Sequence, residues 1–357
     1  MMSSGKYRIR HNKPINDRGH GNSIGEVIGM RKIYFLAVIF ILVLLTGCSG
    51  PRINLFGEEM KPLKEYTLEG TGSDKILLIP VNGIISDASR RSFMMTSPSI
   101  VQQIVSQLNK AEKDKHVKAV LLKINSPGGT ITASDLLYHE IFAYKQRTGT
   151  KIVAAMMDMA TSGAYYIVLP SDMIIAHPTT VTGSVGVIFI QPKVGGLMDK
   201  IGVGVDVQKH GKNKDMGSPF RVSTEEELKL MQKAVNDFGE RFINLVQKHR
   251  NPQQSSLEEI ATARIFLADD ALRLGIVDKI GYLSDAVAES KKMAGIPDDA
   301  RVVVYRRVEF PEDNYYNSAA VMTEDPKLAA INIELPDSLN LKTGFYYLWP
   351  GAIGAEQ

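Results

Sequence analysis

Apolar residues follow two different periods along the chain from Lys75 onward, and these periods predict its elements. Short, nearly continuous apolar runs are typical of buried strands, whereas apolar residues three and four positions apart indicate helices. The predicted strands are Lys75–Val81, Val117–Ile124, Ile152–Met156, Met173–Ala176, Val185–Ile190 and Val203–Val207. The predicted helices are Ile100–Asp114, Ser134–Arg147, Gly163–Val168 and Thr224–His249, the last one capped at Ser223 or Thr224. Because strands alternate with helices, the pattern favours an α/β domain with a mainly parallel sheet.

The N-terminal segment has the features of an export signal. A basic start at Met30–Lys32 precedes an apolar run from Ile33 to Leu45, which is shorter than the roughly 20 residues of a spanning helix. The run ends in Leu45-Thr46-Gly47-Cys48, which resembles a bacterial lipobox. We therefore expect residues 1–47 to be a leader and lipoprotein signal peptide, with Met30 as the candidate true start.

Cys48 is the only cysteine of the chain, so an intrachain disulfide is excluded. In a lipobox this thiol is the acyl acceptor, and we expect Cys48 to be lipidated and to anchor the protein to a membrane of the bacterial envelope. The protein would then face the periplasm or the outside. Ser49 in place of an aspartate favours the outer membrane, but the choice between inner and outer membrane stays open. An uncleaved anchor with an incidental cysteine is the alternative.

Composition divides the rest of the chain into three parts. Residues 48–72 are rich in glycine and proline and predict a tether, and residues 73–300 carry the alternating pattern of the folded domain. Residues 301–357 contain four scattered prolines and predict a C-terminal extension. The formal net charge is +3, and the leader alone carries +5, which leaves −2 for the remainder. This balance gives no indication of nucleic-acid binding.

Three glycine-bearing loops follow strands, and ligands of open α/β sheets bind at this position. The first loop is Asn125-Ser126-Pro127-Gly128-Gly129, whose glycines allow backbone N–H groups to approach a carbonyl oxygen. The second places Ser162 at the start of a helix, with the N–H of Gly163 beside it. The third is Thr182-Gly183-Ser184-Val185-Gly186, which could bring Ser184 to the same place. Taken alone, the first loop is more typical of an ordinary turn and the second of a helix cap, and the third could be a turn into a strand.

A nucleophilic serine needs a base. Seven histidines occur, and His177 and His210 lie in predicted loops, but no partner carboxylate is indicated by spacing. A Ser-His-Asp triad is therefore unsupported without being excluded. Lys212 and Lys214 lie in a glycine-bearing loop, and a lysine can act as a base when burial lowers its pKa from about 10.4. Taken alone, both lysines are typical of a solvated loop.

Together these motifs resemble the signal peptide peptidase A family of Ser-Lys peptidases. The resemblance covers roughly residues 75–300 and rests on the Ser-Pro-Gly-Gly loop, Ser162-Gly163-Ala164-Tyr165-Tyr166, Gly183-Ser184-Val185-Gly186 and Lys214-Asp215. It implies a crotonase/Clp-protease-like fold of repeated ββα units. Ala164 departs from the glycine that many members have at this position.

The resemblance also implies a role for each residue. Ser162 is the expected nucleophile and Lys214 the expected general base, with Ser184 orienting the lysine. Gly163 together with Gly128 or Gly129 is expected to hold the oxyanion. The family implies no metal and no cofactor. It further implies a homo-oligomeric ring, an octamer, in which Lys214 reaches Ser162 of a neighbouring subunit.

The function expected from these features is that of a membrane-anchored endopeptidase that cleaves residual signal peptides or other membrane-associated peptides. A crotonase-like acyl-CoA enzyme is one alternative, because it uses a similar oxyanion hole, although an exported protein would not meet cytosolic coenzyme A. A peptide-binding scaffold without turnover is the other alternative. Labelling of Ser162 by a serine-reactive probe would favour the peptidase over both.

Overall fold

The computed structural model describes residues 62–91, 96–307 and 343–352. The predicted leader, the lipobox and Cys48 lie outside the described residues, as do residues 308–342 of the predicted C-terminal extension. Within the described ranges, no helix is both long and apolar enough to cross a membrane.

Strands and helices alternate along most of the described chain. The strands are β1 (Lys64–Glu69), β2 (Lys75–Asn82), β3 (Arg90–Arg91), β4 (Thr96–Ser97), β5 (Val117–Ser126), β6 (Gly128–Thr130), β7 (Lys151–Thr161), β8 (Met173–Ala176), β9 (Val181–Gly183), β10 (Ile188–Ile190), β11 (Ile265–Leu267), β12 (Lys279–Ile280), β13 (Arg301–Arg306) and β14 (Gly344–Leu348). The helices are α1 (Ile100–Ala111), α2 (Ile131–Thr148), α3 (Gly163–Val168), α4 (Gly195–Ile201), α5 (Glu225–Arg250), α6 (Gln254–Ile260), α7 (Ala268–Arg273) and α8 (Leu283–Ala294), with a 3₁₀ turn at Pro350–Ala352.

The main sheet has the strand order β1-β13-β2-β5-β7-β8-β12, and β9 extends it by pairing with β7 and β11. Its central strands β2, β5, β7 and β8 are parallel, and β13 joins β2 in parallel as well. Parallel strands are buried on both faces, which explains why they appear as continuous apolar runs in the sequence. The predicted mainly parallel α/β architecture is confirmed.

Helices cover both faces of the main sheet and close two hydrophobic clusters. On one face, Leu77 and Leu122 pack in the cluster that contains Ile104 of α1 and Leu137 of α2. The opposite face packs against α8, in a cluster that includes Leu78, Leu121, Val153, Ala286 and Val287. Each fully buried aliphatic side chain stabilises the fold by about 1.5–3 kcal/mol. The carboxyl ends of β5 and β7 are thereby held in a rigid frame.

Several sequence-predicted boundaries differ from the structure. The predicted strand Val203–Val207 is wrong, because this segment pairs with no strand and its alternating valines are about half exposed. The predicted strand Val185–Ile190 is reduced to β10, and β9 was not predicted. The segment 48–72, predicted as a tether, contains β1, which pairs with β13 along five registered positions. Because β13 itself lies beyond residue 300, the predicted domain boundaries at residues 72 and 300 cut through the sheet.

Candidate active site

Ser162 lies at the junction between the end of β7 and the first residue of α3. Its backbone adopts φ 54° and ψ −117°, a conformation that costs on the order of 1–3 kcal/mol for a residue with a side chain. Hydrogen bonds hold this conformation, because the Ser162 N–H donates to the Gly183 carbonyl at 2.8 Å and the Ser162 carbonyl accepts from the Tyr166 N–H at 2.9 Å. Strain of this kind is typical of functional sites.

The Ser162 hydroxyl is buried without a hydrogen-bond partner. The residue is 1 % exposed, and within the described residues its Oγ has no hydrogen-bond partner. An unsatisfied buried hydroxyl costs about 1–3 kcal/mol, so it requires an explanation. The hydrogen-bonding capacity of Ser162 Oγ is therefore available to a group from outside the described residues.

The short helix α3 is a rigid platform for Ser162, since all six of its residues are buried. The Tyr165 hydroxyl donates to the Ile276 carbonyl at 2.9 Å, and the Tyr166 hydroxyl donates to Asp135 Oδ1 at 2.7 Å. Burial raises the pKa of both phenols well above the ordinary tyrosine value, so both stay neutral. The helix therefore anchors the serine without placing a charge beside it.

Gly128 must be glycine because two backbone atoms approach it closely. Its φ is +98°, and a Cβ at this position would lie 2.1 Å from the Tyr347 carbonyl oxygen and 2.7 Å from the Gly163 nitrogen. The Gly128 N–H itself donates to Ser126 Oγ at 3.1 Å. Its close approach to Gly163 brings the Ser-Pro-Gly-Gly loop and the start of α3 together.

Gly129 is glycine for a different reason, because a Cβ on it would lie 1.8 Å from the Ile85 carbonyl oxygen. The same segment is held in place by two hydrogen bonds, from the Ile85 N–H to the Gly128 carbonyl at 2.8 Å and from the Thr130 N–H to the Ile85 carbonyl at 3.0 Å. The Gly129 nitrogen lies 3.1 Å from where a Cβ on Gly163 would be. Gly129 and Gly163 therefore face one small space.

A strand from the C-terminal part of the chain lies in this space. β14 is the middle strand of a second sheet, antiparallel to both β6 and β10, and its register pairs Tyr347 with Gly129. Besides its closeness to Gly128, the Tyr347 carbonyl oxygen would lie 2.9 Å from a Cβ on Gly163. A backbone carbonyl thus sits where the two glycine-bearing motifs converge.

The Tyr347 side chain fills a pocket lined by aromatic rings of α3 and α5. Its ring centroid lies 5.0 Å from that of Tyr166 and 4.9 Å from that of Phe242. The Tyr347 hydroxyl donates to the Phe238 carbonyl at 3.0 Å, and burial raises its pKa above the ordinary value. The pocket is therefore built from α3 and α5 and suits a large apolar or aromatic side chain.

Ser184 is the second candidate serine with a positive φ, at 52°. It follows Gly183, whose carbonyl accepts the Ser162 N–H, and its own N–H donates to the Arg264 carbonyl at 2.9 Å. Ser184 is buried, with 8 % of its surface exposed. The structure therefore places Ser184 in the backbone layer next to Ser162.

Lys214 is not brought to Ser162 within one chain. It lies in the turn 211–218, its side chain is exposed, and its N–H donates to the Gly211 carbonyl at 3.2 Å. Because Ser162 Oγ has no partner among the described residues, neither Lys214 nor a described histidine is bonded to it. His177 is engaged with Thr179 at 2.8 Å and His249 with Tyr138 at 2.8 Å.

Two parts of the site were missed from the sequence, namely Ile85 and β14. Neither carries a motif, and each is identified only by the strand or bridge that it forms across the fold. Across the parts of the chain that the structure describes, no group of three or more His, Cys, Asp or Glu side chains could hold a metal ion.

Comparison with known proteins agrees with this geometry. The profile of peptidase family S49 matches residues 144–297, and the profile of Clp protease matches residues 89–183. An Enterococcus faecium protein with the provisional name signal peptide peptidase SppA is 39 % identical over 245 residues, which cover 68 % of this chain and 71 % of that protein. The chloroplastic serine protease SPPA of Arabidopsis thaliana is 32 % identical over 68 % of this chain and 36 % of its own length.

A ClpP1 mutant from Listeria monocytogenes is similar in structure, with a TM-score of 0.38 and 16 % sequence identity over 59 % of this chain and 94 % of that chain. The fold and the site define a serine peptidase with a Clp-protease-like α/β fold, as predicted. Within this class, the chain belongs to the signal peptide peptidase A family, peptidase family S49.

Proposed function

We propose that the chain is a membrane-anchored serine endopeptidase in which Ser162 is the nucleophile and Lys214 of a neighbouring subunit is the general base. Its substrates would be residual signal peptides or other membrane-associated peptides. The observation that carries the proposal is the buried, strained Ser162, whose hydroxyl has no partner among the described residues. A base supplied by a second copy of the chain would give this hydroxyl the partner that it lacks.

The surface around the lysine turn supports an assembly of several subunits. Large apolar side chains are unusually exposed on α4, on the segment that follows it and before α5. They are Leu197, Ile201, Val203, Val205, Val207, Phe220 and Val222. Exposed apolar patches of this kind mark interaction sites. A ring, proposed here as an octamer, would cover this surface and desolvate Lys214, as a lysine base requires.

The position of β14 supports the proposed way in which a substrate binds. An extended peptide adds to sheet edges through main-chain hydrogen bonds, and β14 makes such pairings with both β6 and β10. A substrate strand in this place would present its scissile carbonyl where the Tyr347 carbonyl lies. Its side chain would enter the pocket of Tyr166 and Phe242, which favours substrates with a large apolar residue before the cleaved bond.

The oxyanion formed on attack by Ser162 would be held by the N–H groups of Gly163 and Gly129. The Gly163 N–H is the first of α3 and has no intrahelical acceptor. The contact of the Gly128 N–H with Ser126 favours Gly129 over Gly128 as the second donor. Neutral Lys214 would take the Ser162 proton and later give it to the leaving amine, and Ser184 would orient the lysine.

Anchoring through a lipid on Cys48 is proposed from the lipobox alone, since this segment lies outside the described residues. Multiple acyl chains would anchor the protein stably, at about 0.8 kcal/mol per buried methylene. Mass spectrometry of the mature N-terminus tests this part, because a diacylglyceryl-modified Cys48 is expected and an unmodified Cys48 would contradict it.

Peptide hydrolysis by the full chain in detergent tests the chemistry. Ser162→Ala and Lys214→Ala should each abolish turnover. Ser162→Ala should leave the unfolding temperature unchanged or raise it, because it removes a buried hydroxyl that has no hydrogen-bond partner among the described residues. Lys214→Ala should leave the unfolding temperature unchanged within about 2 °C, because the residue is exposed. If both variants keep full activity, the proposed mechanism is wrong.

Mixing the two inactive variants tests whether the base comes from a neighbour. In randomly mixed rings, about a quarter of the interfaces join an intact Ser162 to an intact Lys214, so roughly a quarter of the activity should return. A dyad within one chain would give no recovery.

A further inference from the structure

Arg221 lies at the centre of an ion-pair network next to the lysine turn. Its Nε contacts Asp215 Oδ2 at 2.9 Å, and its Nη1 donates to Glu227 Oε2 at 2.8 Å. Its Nη2 pairs with the other oxygen of Glu227 and donates to the Asp215 carbonyl at 3.3 Å. Lys209 holds the remaining oxygen of Asp215. The planar guanidinium group of Arg221 thus donates hydrogen bonds to two carboxylates at once.

The two carboxylates belong to different parts of the fold. Asp215 is adjacent to Lys214 in the turn 211–218, whereas Glu227 is in the first turn of α5. Glu227 also closes the capping box of this helix, because its Oε2 accepts from the Thr224 N–H at 2.8 Å and its own N–H donates to Thr224 Oγ1 at 3.2 Å. Arg221 therefore ties the lysine turn to the start of the longest described helix.

The network is charged across the working range of a peptidase. Arg221 is the main cause that lowers the pKa of Glu227 to about 2 and the pKa of Asp215 below its ordinary value. The Glu227 side chain is only 4 % exposed, so solvent screens this pair weakly. Both carboxylates remain ionised and stay bound to Arg221.

The other contacts of the turn near Lys214 are its internal bonds, a hydrogen bond from Lys209 Nζ to the Lys212 carbonyl at 3.1 Å and the exposed ion pair of Lys212 with Glu226. Its internal bonds are Lys214 N–H to the Gly211 carbonyl at 3.2 Å, Met216 N–H to the Asn213 carbonyl and Ser218 N–H to the Asp215 carbonyl, both at 3.0 Å. Lys193 fixes the carbonyl of Ser218 at 2.8 Å, four residues away from Lys214. Arg221 instead acts on the side chain and carbonyl of the next residue, Asp215.

The neighbouring lysines are engaged, but Lys214 is not. Lys212 pairs with Glu226 and Lys209 with Asp215. Among the described residues, Lys214 makes no ion pair, so its amine is available for another partner. The network thus fixes the backbone beside Lys214 and leaves the amine free.

We propose that Arg221 is a positioning residue for Lys214, because it clamps the turn that carries this lysine to the N-terminus of α5. The inference rests on the proposed function, in which Lys214 is the base for Ser162 of another subunit. A base displaced by about 1 Å can lose roughly 100-fold in rate. Arg221 would act through Asp215 and Glu227 and would not touch the substrate.

The test compares kcat and KM for peptide hydrolysis by Arg221→Met, Arg221→Lys and Glu227→Gln in the assembled fraction of the full chain. Arg221→Met should lower kcat by about 10- to 100-fold and change KM less than about twofold, because the hydrogen bonds of Arg221 go to Asp215, Val222 and Glu227 and not to the strands that pair with β14. Arg221→Lys keeps the positive charge but loses the planar guanidinium geometry, so its kcat should lie between those of Arg221→Met and the unchanged protein. Glu227→Gln should lower kcat by a smaller factor than Arg221→Met.

Arg147→Met is the matched control, since Arg147 forms a similar fork on Glu112 at 3.0 Å for both contacts but lies on α2. It should leave kcat unchanged. Full activity of Arg221→Met beside an inactive Lys214→Ala would overturn the positioning role and leave the proposed function intact. An active Lys214→Ala would overturn both. An equal loss of kcat in Arg147→Met would show a general structural effect and overturn the inference. A rise in KM without a fall in kcat in Arg221→Met would overturn it as well.

Discussion

Replacement of Gly163 by alanine tests stability and catalysis separately at the position next to the nucleophile. Gly163 is the first residue of α3 and does not have a positive φ, so the effect of the new methyl group is steric alone. Its Cβ would lie 2.4 Å from Ser134 Oγ, 2.9 Å from the Tyr347 carbonyl oxygen and 3.1 Å from the Gly129 nitrogen. Only the first of these contacts is with a side chain that another substitution can remove.

The stability cost follows from Ser134. Its hydroxyl donates to the Thr130 carbonyl at 3.0 Å, and the residue is fully buried. To avoid the new methyl group it must move, which forfeits this bond at about 1 kcal/mol and strains the packing by about 1–2 kcal/mol more. We therefore expect Gly163→Ala to lower the free energy of unfolding by about 2–3 kcal/mol. Adding Ser134→Ala removes the closest atom and should restore the packing part of this loss, about 1–2 kcal/mol, while the hydrogen bond stays lost.

The catalytic cost should not be restored by the second substitution. In the double variant the methyl group still occupies the space between the Gly129 nitrogen and the carbonyl position that β14 marks. If this space holds the oxyanion, kcat should fall by about 100- to 1000-fold in both the single and the double variant. Stability and activity therefore respond differently to Ser134→Ala.

Urea unfolding followed by tryptophan fluorescence measures the first quantity, and peptide hydrolysis at saturating substrate measures the second. Gly239→Ala is the control, because Gly239 lies inside α5 with open space around its Cβ position. It should be neutral or stabilising by up to about 1 kcal/mol. The reasoning is refuted if the double variant regains activity together with stability, since the loss would then come from distortion and not from a blocked oxyanion site.

Three further predictions follow from the described contacts. Gly128→Ala should lower the free energy of unfolding by more than about 4 kcal/mol, because the new Cβ would lie 2.1 Å from a backbone oxygen. Gly149→Ala is the control, because Gly149 has a positive φ but open surroundings, and it should cost only about 1–2 kcal/mol. Equal urea midpoints for the two variants would contradict the steric argument. Burial lowers the pKa of His249 below 6.5, so the unfolded chain takes up a proton first and stability should fall as the pH drops through this value. His249→Gln should flatten this slope in urea midpoints measured against pH, and parallel slopes would show that another group is responsible. A chain that ends at residue 342 lacks β14. If β14 fills the groove more than nine-tenths of the time, the KM of this shortened chain for a peptide should fall at least about tenfold. An unchanged KM would show that β14 does not occupy the substrate site.

Local signals in the sequence were sufficient for the helix that follows Ser162, whereas the preceding strand β7, predicted to end at Met156, continues to Thr161. The bounds of α3 and β8 agree with the prediction, and the N-cap of α5 lies at Thr224, one of the two predicted residues. These features depend on neighbouring residues, namely the apolar run, the small residues before the helix and the acidic first turn. The predicted helix α3 and strand β8 therefore fall where the structure has them, and Ser162 directly precedes α3.

Pairing across the fold could not be predicted in the same way. Val203–Val207 alternates like a strand but finds no partner, whereas β1 and β14 have weaker patterns and become strands because β13, β6 and β10 accept them. Gly129 shows the same limit. The sequence indicated a glycine for approach to a ligand, but the closest atom is the Ile85 carbonyl of the same chain. The need for glycine at position 129 is evident only from the folded structure, in which Ile85 packs against this loop.

The two halves of the proposed dyad also differ in what holds them. Ser162 is fixed by a buried helix, two backbone hydrogen bonds and a strained conformation, so its geometry exists in a single subunit. Lys214 lies on an exposed turn whose firmest attachment near it is the ion-pair network of Arg221. Because a lysine works as a base only when it is desolvated, a free subunit would hold a prepared nucleophile without an effective base. On this view the enzyme gains activity only on assembly, and the loss of apolar exposure around the turn would supply both the binding energy and the dry environment that the lysine needs.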